Sequence, residues 1–398
     1  MSRVISIKEA VTQVLSSVTP LPAEDVSVED ALDRVLAADV SALGDSPPFA
    51  CSAMDGYAVR AGAAGRTLTL VAESRAGSPT DREVNEREAI RISTGAALPP
   101  GAEAVIPQEN VRRDRSQIET LSALSDGDNV RAPGEDMRAG ALILSTGTAL
   151  GPAELGAAVA AGAGSVAVSC RPRATVLCTG DELRAPGEPL GPGEIHNSNG
   201  PMLVSLARRC GAAVSPALRL PDELAATEAA LAQALQESDL IVISGGVSVG
   251  PHDHVKPALN HLGVTERFWG VALQPGKPTW FGTRAGKLVF GLPGNPVSSA
   301  VTFSLFVRPA LLALQGASDS AAEHAILGQS VRGNPGREQA LRVKLERRAG
   351  RDLVAVPNGP QGSHIITSLV GADALALIPA GAHELPAGTV IELKPLLN

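Results

Sequence analysis

Aromatic side chains are scarce in this chain, at 2% of 398 residues, and basic residues are outnumbered, giving a formal net charge of -8. A nucleic-acid binder usually combines a basic surface with stacking rings, so a small-molecule or protein partner is expected, and no nucleic acid. A polyanionic ligand would have to be held by local Lys and Arg and by backbone N–H groups, against the overall field. Cysteine is sparse too. Cys51, Cys170, Cys178 and Cys210 form no C-x-x-C pair and no spacing of a zinc site or disulfide framework, which fits reduced thiols in a cytoplasm. The N-terminal MSRVISIKEA lacks the apolar core and cleavage site of an export signal. The apolar stretch Ala149 to Val168 is interrupted by Pro152, Glu154 and several glycines, a poor candidate for crossing a membrane. A soluble, cytoplasmic protein is expected.

Hydrophobic residues at 44% and charged residues at 19% belong to a globular chain, and the length suits two to four domains. Ser6 and Glu9 have capping-box spacing ahead of the apolar stripe Ala10, Val11, Val14, Leu15 and Val18, which predicts a helix over Ser6 to Val18. Ser27 and Asp30 before Ala31, Leu32, Val35 and Leu36 predict a second. From Leu43 to about Gly140, glycine, proline and short alternating segments such as Arg66 to Ala72 and Glu103 to Pro107 predict a mostly β module. The Ala-rich segment that follows could pack back on the N-terminal helices, making that module an insertion.

From Arg171 the pattern becomes α/β. Strands are expected at Ala174 to Cys178, Val214 to Leu218, Leu240 to Ser244 and Leu288 to Phe290, and helices at Pro201 to Cys210, Pro221 to Glu237 and after Pro296 through Phe306. Three unusual loops follow strand ends: Thr179-Gly180-Asp181-Glu182-Leu183, Gly245 through Gly250, and Gly291 through Pro296. Open parallel sheets bind ligands at that edge. Short strands after about Gly316, at Leu341 to Glu346, Leu353 to Val356, Ala374 to Ile378 and Val390 to Leu393, predict a small barrel or sandwich.

Each loop has a modest reading and a chemical one. Ser244 to Gly250, with Gly245, Gly246, Ser248 and Gly250, could let backbone N–H groups approach an oxyanion, or be a tight turn needing positive φ; it is neither G-x-G-x-x-G nor a P-loop. Pro293-Gly294-Asn295-Pro296 is a ligand approach or a rigid turn. Of Asp181 and Glu182, one is expected to cap a helix and the other to be free for a metal or proton. Asp55, between Met54 and Gly56, reads first as an Asx-turn. His252-Asp253-His254 lacks a third ligand and is weak as a metal motif, and Asp253 is the more interesting of the three. Lys277, pinned between Pro275 and Pro278, suits anion recognition or a surface turn. No Ser-His-Asp order or activated cysteine can be defended.

Taken in order, SAMDGYAV at 52 to 59, RISTGAALPPGAEAVIPQE at 91 to 109, GEDMRAG at 134 to 140, TGDEL at 179 to 183, SGGVSVG at 244 to 250, PGKP at 275 to 278, GLPGNPVS at 291 to 298 and QGSH at 361 to 364 resemble the molybdopterin molybdenumtransferase family, MoeA in bacteria and the C-terminal domain of gephyrin in animals. The resemblance spans nearly the whole chain. It implies an α/β MogA-like domain at 171–317, an N-terminal linker and dimerisation domain at 1–42 and 141–170, an inserted β module at 43–140 and a C-terminal β-barrel at 318–398.

It also implies an enzyme that inserts molybdate into adenylylated molybdopterin with Mg2+, releasing AMP, as a homodimer whose site takes one subunit's α/β domain and its partner's β module. Carried over, Asp55, Thr94, Asp136, Glu182 and Asp253 are the catalytic candidates, with Glu182, Asp253 and Asp55 toward metal. Gly245, Gly246, Ser248, Gly250, Lys256, Lys277, Pro293, Gly294, Asn295 and Pro296 would shape the substrate cleft, with Arg337 and Ser363 reaching in from the C-terminal domain. Ala50-Cys51 stands where members often carry Asp-Asn, and Gln274 where they often carry a basic residue. Asp222 is a further acid near a helix start. The upstream adenylyltransferase is a possible partner. The alternatives are a molybdopterin adenylyltransferase, which would not need the β insertion or C-terminal module, and a non-catalytic pterin-binding scaffold, which would not need Asp55, Glu182 and Asp253.

Overall fold

The computed structural model describes residues 4–246, 254–319, 323–347 and 353–396. The chain divides into two compact units, one of residues 25–32 and 38–167, the other of 1–24, 33–37 and 168–398.

The first unit is built on a six-stranded sheet in the order Ala104–Pro107, Gly56–Val59, Glu88–Ile92, Thr67–Ser74, Gln117–Thr120, Val111–Asp114. All neighbours are antiparallel except Thr67–Ser74 and Glu88–Ile92. Successive side chains leave a strand on opposite faces, and both faces are covered. Tyr57 and Val59 join Leu68, Ile106 and Ile118 on one side, while Ala58 joins Ile90, Ile92 and Val105 on the other. Burying each Ile contributes on the order of 1.5–3 kcal/mol. The sheet presents two loops, around Asp55 and Thr94, at the ends of Gly56–Val59 and Glu88–Ile92.

In the second unit a seven-stranded sheet runs Ala213–Val214, Arg173–Thr179, Leu240–Ser244, Lys287–Leu292, Trp280–Arg284, Thr265–Trp269, with Leu218–Leu220 also against Arg173–Thr179. The strands from Ala213 to Lys287–Leu292 are parallel and the last two antiparallel. Helices cover both faces, as parallel strands require. Val176, Leu240, Val242 and Phe290 pack with helices Ile7–Leu15, Asn199–Arg209 and Pro296–Thr302. Leu177, Ile241, Ile243 and Val289 pack with Leu224–Glu237 and Val255–His261. The long apolar helix Pro296–Leu314 is 78% buried over its most apolar window, which is the position of a core helix.

The C-terminal strands Glu338–Arg347, Leu353–Pro357, Glu323–Leu327, Val390–Pro395 and Ala374–Ile378 pair in that order, and Ala374–Ile378 returns to Glu338–Arg347, closing a five-stranded barrel. It is a barrel and not a sandwich, filled by Val343, Ala355, Ile378, Ile391 and Leu393.

Local signals hold where backbone partners are local. Ser6 and Glu9 form both arms of a capping box on Ile7–Leu15. The expected second helix does not form. Ser27 caps only the single 3-10 turn Val28–Asp30, and Asp33 takes φ 60°, turning the chain so that Leu36 bridges Val168 and Arg34 reaches Glu24 and the Ser169 carbonyl. Tertiary partners override the periodicity. The expected strand Val214 to Leu218 is two short pieces, Ala213–Val214 and Leu218–Leu220, each pairing a different part of Arg173–Thr179, and the next helix begins at Leu224, after the turn at Pro221 to Glu223.

Candidate functional site

Because Arg173–Thr179, Leu240–Ser244 and Lys287–Leu292 are adjacent and parallel, the loops at their carboxyl ends lie side by side. They border a cleft of about 460 Å3 lined by Thr179, Glu182, Asn197, Asn199, Gly245, Gly246, Gly294 and Pro296, among others.

The glycine loop enters with Gly245 at φ +90° and Gly246 at φ +65°, a region that L side chains rarely adopt. A Cβ on Gly245 would meet the Thr179 carbonyl oxygen at 3.0 Å, and one on Gly246 would meet Val255 Cγ2 at 2.6 Å. The tight turn needing positive φ is therefore what the structure shows, packed closely on Thr179 and Val255. The Gly245 N–H donates to Leu292 O at 3.1 Å, so it belongs to the scaffold. Ser248 and Gly250 lie outside the described residues, as does Asp253.

The neighbouring loop, Pro293 to Pro296, is tied to it by Asn199. The Asn199 Nδ2 donates to Ser244 Oγ at 2.8 Å and to Gly294 O at 2.7 Å, while its Oδ1 is buried with no partner among the described residues. Ser299 donates to the Pro293 carbonyl. Asn197 accepts the Gly200 N–H at 2.9 Å and hydrogen-bonds the Cys178 thiol, whose pKa burial raises above its usual value despite that bond. That thiol is therefore protonated at neutral pH. Neither Asn197 nor Asn199 stood out in the sequence, where the nearest reading was the helix from Pro201.

Glu182 is exposed at the cleft, and its carboxylate has no hydrogen-bond partner among the described residues. Asp181 instead exchanges backbone-to-carboxylate bonds with Asp222, at 3.4 and 3.3 Å. Helix capping is not what either acid of this loop does, because Gly180 takes φ +141° and Leu183–Arg184 pairs in parallel with Ile195–His196. A helix begins only at Asn199.

Other expected residues are placed less centrally. Lys256 has its ammonium 4.4 Å from the Trp269 ring centroid, a cation–π contact. Lys277 is exposed, its carbonyl accepting from Val271 and Thr279, and its neighbour Pro278 lines the cleft. Gln274 accepts a bond from Asn334, so its amide is turned to the barrel region. Arg337 is half-buried just before Glu338–Arg347. Ser363 does reach the cleft loops: its Oγ accepts from Asn295 Nδ2 at 3.1 Å and its carbonyl accepts the Val297 N–H at 3.2 Å.

In the other unit, Asp55 and Thr94 meet. Asp55 Oδ1 accepts the Thr94 N–H at 2.7 Å and the Thr94 hydroxyl at 3.0 Å, and these bonds hold the carboxyl below its ordinary pKa. The partner is 39 residues away, so the Asx-turn reading, a bond two residues on, is corrected. Asp136 is exposed, its N–H donating to Ser46 O at 2.9 Å, and it bonds neither Asp55 nor Thr94. Ala50 gives its carbonyl to the Leu98 N–H, and Cys51 is buried. No group of three or more His, Cys, Asp or Glu is poised as a metal cage among the described residues.

Family models match three stretches: a MoeA N-terminal region (domain I and II) at 5–162, a probable molybdopterin binding domain at 175–313 and a MoeA C-terminal region (domain IV) at 324–396. Molybdopterin molybdenumtransferase 2 of Mycobacterium tuberculosis is 37% identical over 387 residues, covering 93% of this chain and 94% of the relative. The molybdopterin molybdenumtransferase of Haemophilus influenzae is 34% identical over 382 residues, covering 94% of each. The crystal structure of a molybdopterin biosynthesis MoeA protein from Pyrococcus horikoshii superposes with TM-score 0.83 at 30% identity, covering 99% of this chain and 100% of that one.

Proposed function

Since the chain belongs to the molybdopterin molybdenumtransferase family, we propose that it inserts molybdate into adenylylated molybdopterin with release of AMP, giving molybdenum cofactor. The observation that carries this reading is the convergence of three strand-end loops on one cleft, with two positive-φ glycines and a free carboxylate, Glu182.

A phosphoanhydride needs close-approaching backbone and fixed polar groups that stabilise charge as it develops on the leaving phosphate. Gly245 and Gly246 line the cleft in positive-φ backbone packed against Thr179 and Val255, and Asn199 holds the Gly294 loop against Ser244. Magnesium is satisfied by one or two carboxylates, substrate phosphate and water, so the lack of a three-acid cage among the described residues fits it. Glu182 is the described residue suited to hold it, and Asp253 is the second candidate. Bound there, the ion would neutralise charge on the anhydride. Lys277 is a candidate for the substrate cleft, with Arg337 and Ser363 reaching in from the C-terminal domain.

The reading includes a homodimer, in which Asp55 and Thr94 of a second copy complete the site. Hydrogen bonds from Thr94 keep Asp55 ionised, which suits an acid meant to orient a cation or a water. A cytoplasmic location, where the upstream adenylyltransferase would deliver substrate, follows from the same reading.

Purified protein mixed with adenylylated molybdopterin, molybdate and Mg2+ should release AMP, and omission of molybdate or chelation of Mg2+ should suppress it. Unchanged AMP release in the presence of chelator would remove the metal from the proposal.

A further inference from the structure

Ser363 sits in a loop, 359–364, that belongs to no strand or helix, yet it supplies an acceptor to Asn295 and another to the first turn of the helix Pro296–Thr302. Something must fix that loop. The group that does so is Arg342, fully buried on the barrel strand Glu338–Arg347. Its Nη2 donates to the carbonyls of Pro360 and Gly362, each at 3.3 Å, and its Nε donates to Ser368 Oγ at 3.1 Å. Gln361 closes the arrangement by accepting the Arg342 N–H at 2.9 Å and donating to the Arg342 carbonyl at 3.1 Å.

Among the described residues no carboxylate pairs with this guanidinium, and Nη1 has no partner. A buried cation without a counter-ion is unfavourable, and desolvation pulls its pKa down to about 10. An apolar side chain would fill a barrel wall without that penalty. The arginine's distinctive contribution is a planar fork that can grip two carbonyls of one loop at once.

We propose that Arg342 is a positioning residue: by gripping the carbonyls of Pro360 and Gly362 it sets Ser363 against Asn295 and Val297, and so holds the Pro293 to Pro296 wall of the cleft in its ligand-binding shape. The kinetic half of this inference rests on the transferase reading; the structural half does not.

The test therefore has two readouts on Arg342→Met, Arg342→Lys, Ser363→Ala and the Arg342→Met/Ser363→Ala double variant of the full chain. The first is amide hydrogen exchange. In Arg342→Met the Val297 amide should exchange about tenfold faster or more, the scale of one lost hydrogen bond, while Val343 and Ala355 inside the barrel stay protected. The second is AMP release as a function of substrate and molybdate concentration. KM should rise severalfold in Arg342→Met, Arg342→Lys should recover only part of it, and the double variant should be no worse than the more impaired single one. Wild-type exchange at Val297, or single-variant effects on KM that multiply in the double variant, would overturn the proposal. Should Arg342→Met fail to fold, Ser368→Ala removes one anchor without touching the charge and should loosen Val297 in the same direction; no change there is equally fatal. An inactive wild type would sink the transferase reading and leave the exchange result to decide this one.

Discussion

Asn199 donates through Nδ2 to the Gly294 carbonyl at 2.7 Å, joining the start of one helix to a loop 95 residues further along the chain. The same nitrogen donates to Ser244 at the end of the central strand, so one amide fastens two of the three cleft loops. Asn199→Ala strands both acceptors and should lower unfolding free energy by about 1–3 kcal/mol. It should also raise KM, because the two loops then move independently. Denaturant titration and AMP-release kinetics on the same preparation check both, and a loss of stability with unaltered KM would make the tie purely structural.

The glycines of the cleft are not equivalent. Gly246→Ala places a Cβ 2.6 Å from Val255 Cγ2 at φ +65° and should cost about 1–3 kcal/mol of stability through strain. Gly294 has no positive φ, and its nearest neighbour to an added Cβ is Gly245 Cα at 4.0 Å. Gly294→Ala should therefore melt close to wild type. Any effect on substrate affinity there would report direct crowding of the ligand. Differential scanning calorimetry separates the two variants; equal melting temperatures would show that the Gly246 loop relaxes.

Asp239 clamps the start of the central strands, accepting from Arg173 Nη2 at 3.1 Å and Lys287 Nζ at 3.3 Å. Burial pushes its pKa up, but hydrogen bonds and charge from Arg173, with Lys287, outweigh that and leave it lowered. A depressed folded-state pKa means the stabilisation is complete above the unfolded value, near 3.9, and is lost as pH falls through the lower folded value. Asp239→Asn should remove part of the steep acid loss of stability below about pH 4 while lowering stability at pH 7. Melting temperatures from pH 2.5 to 7 test this; parallel curves for variant and wild type would contradict it.

Asp55 offers a pH test of its role. Its two bonds from Thr94 lower its pKa, so it is ionised throughout the range from pH 5 to 8. Thr94→Val removes the hydroxyl bond but keeps the backbone one, and should move any Asp55-dependent acid limb of the rate profile upward; an acid limb that stays in place would show that Asp55 does not set it. The proposed homodimer can be checked by complementation. Mixing inactive Asp55→Ala with inactive Glu182→Ala subunits should restore AMP release, since one composite site per heterodimer then holds both acids. No recovery after verified subunit exchange would argue against shared sites.

Much of the α/β core was legible because its signals are local. Leu240 to Ser244 is an apolar run bounded by polar and glycine residues, and parallel burial leaves such a strand no alternative. The barrel strands showed as short apolar segments, but their closure depends on Ala374–Ile378 pairing back to Glu338–Arg347, a long-range choice invisible to periodicity. The helix expected after Ser27 failed for the same reason: Arg34 and Leu36 are claimed by Glu24, Ser169 and Val168. At the site, glycine loops and acids announced themselves by residue type. Asn199, Asn197 and Arg342 did not, since each acts through partners 18 to 95 residues away or, for Asn197, through a thiol and a single helix N–H.

In the proposed reaction Glu182 acts in turnover and is not part of the scaffold. Its carboxylate bonds to nothing described, so Glu182→Ala should leave the melting temperature unchanged and substrate affinity largely intact. Losing an electrostatic group that acts in the transition state lowers rates by about a hundredfold or more. Single-turnover AMP release from adenylylated molybdopterin, with Mg2+ and molybdate saturating, is the direct measurement. Glu182→Ala should show that drop beside an active wild type; a variant that releases AMP at the wild-type rate would remove Glu182 from the proposed site.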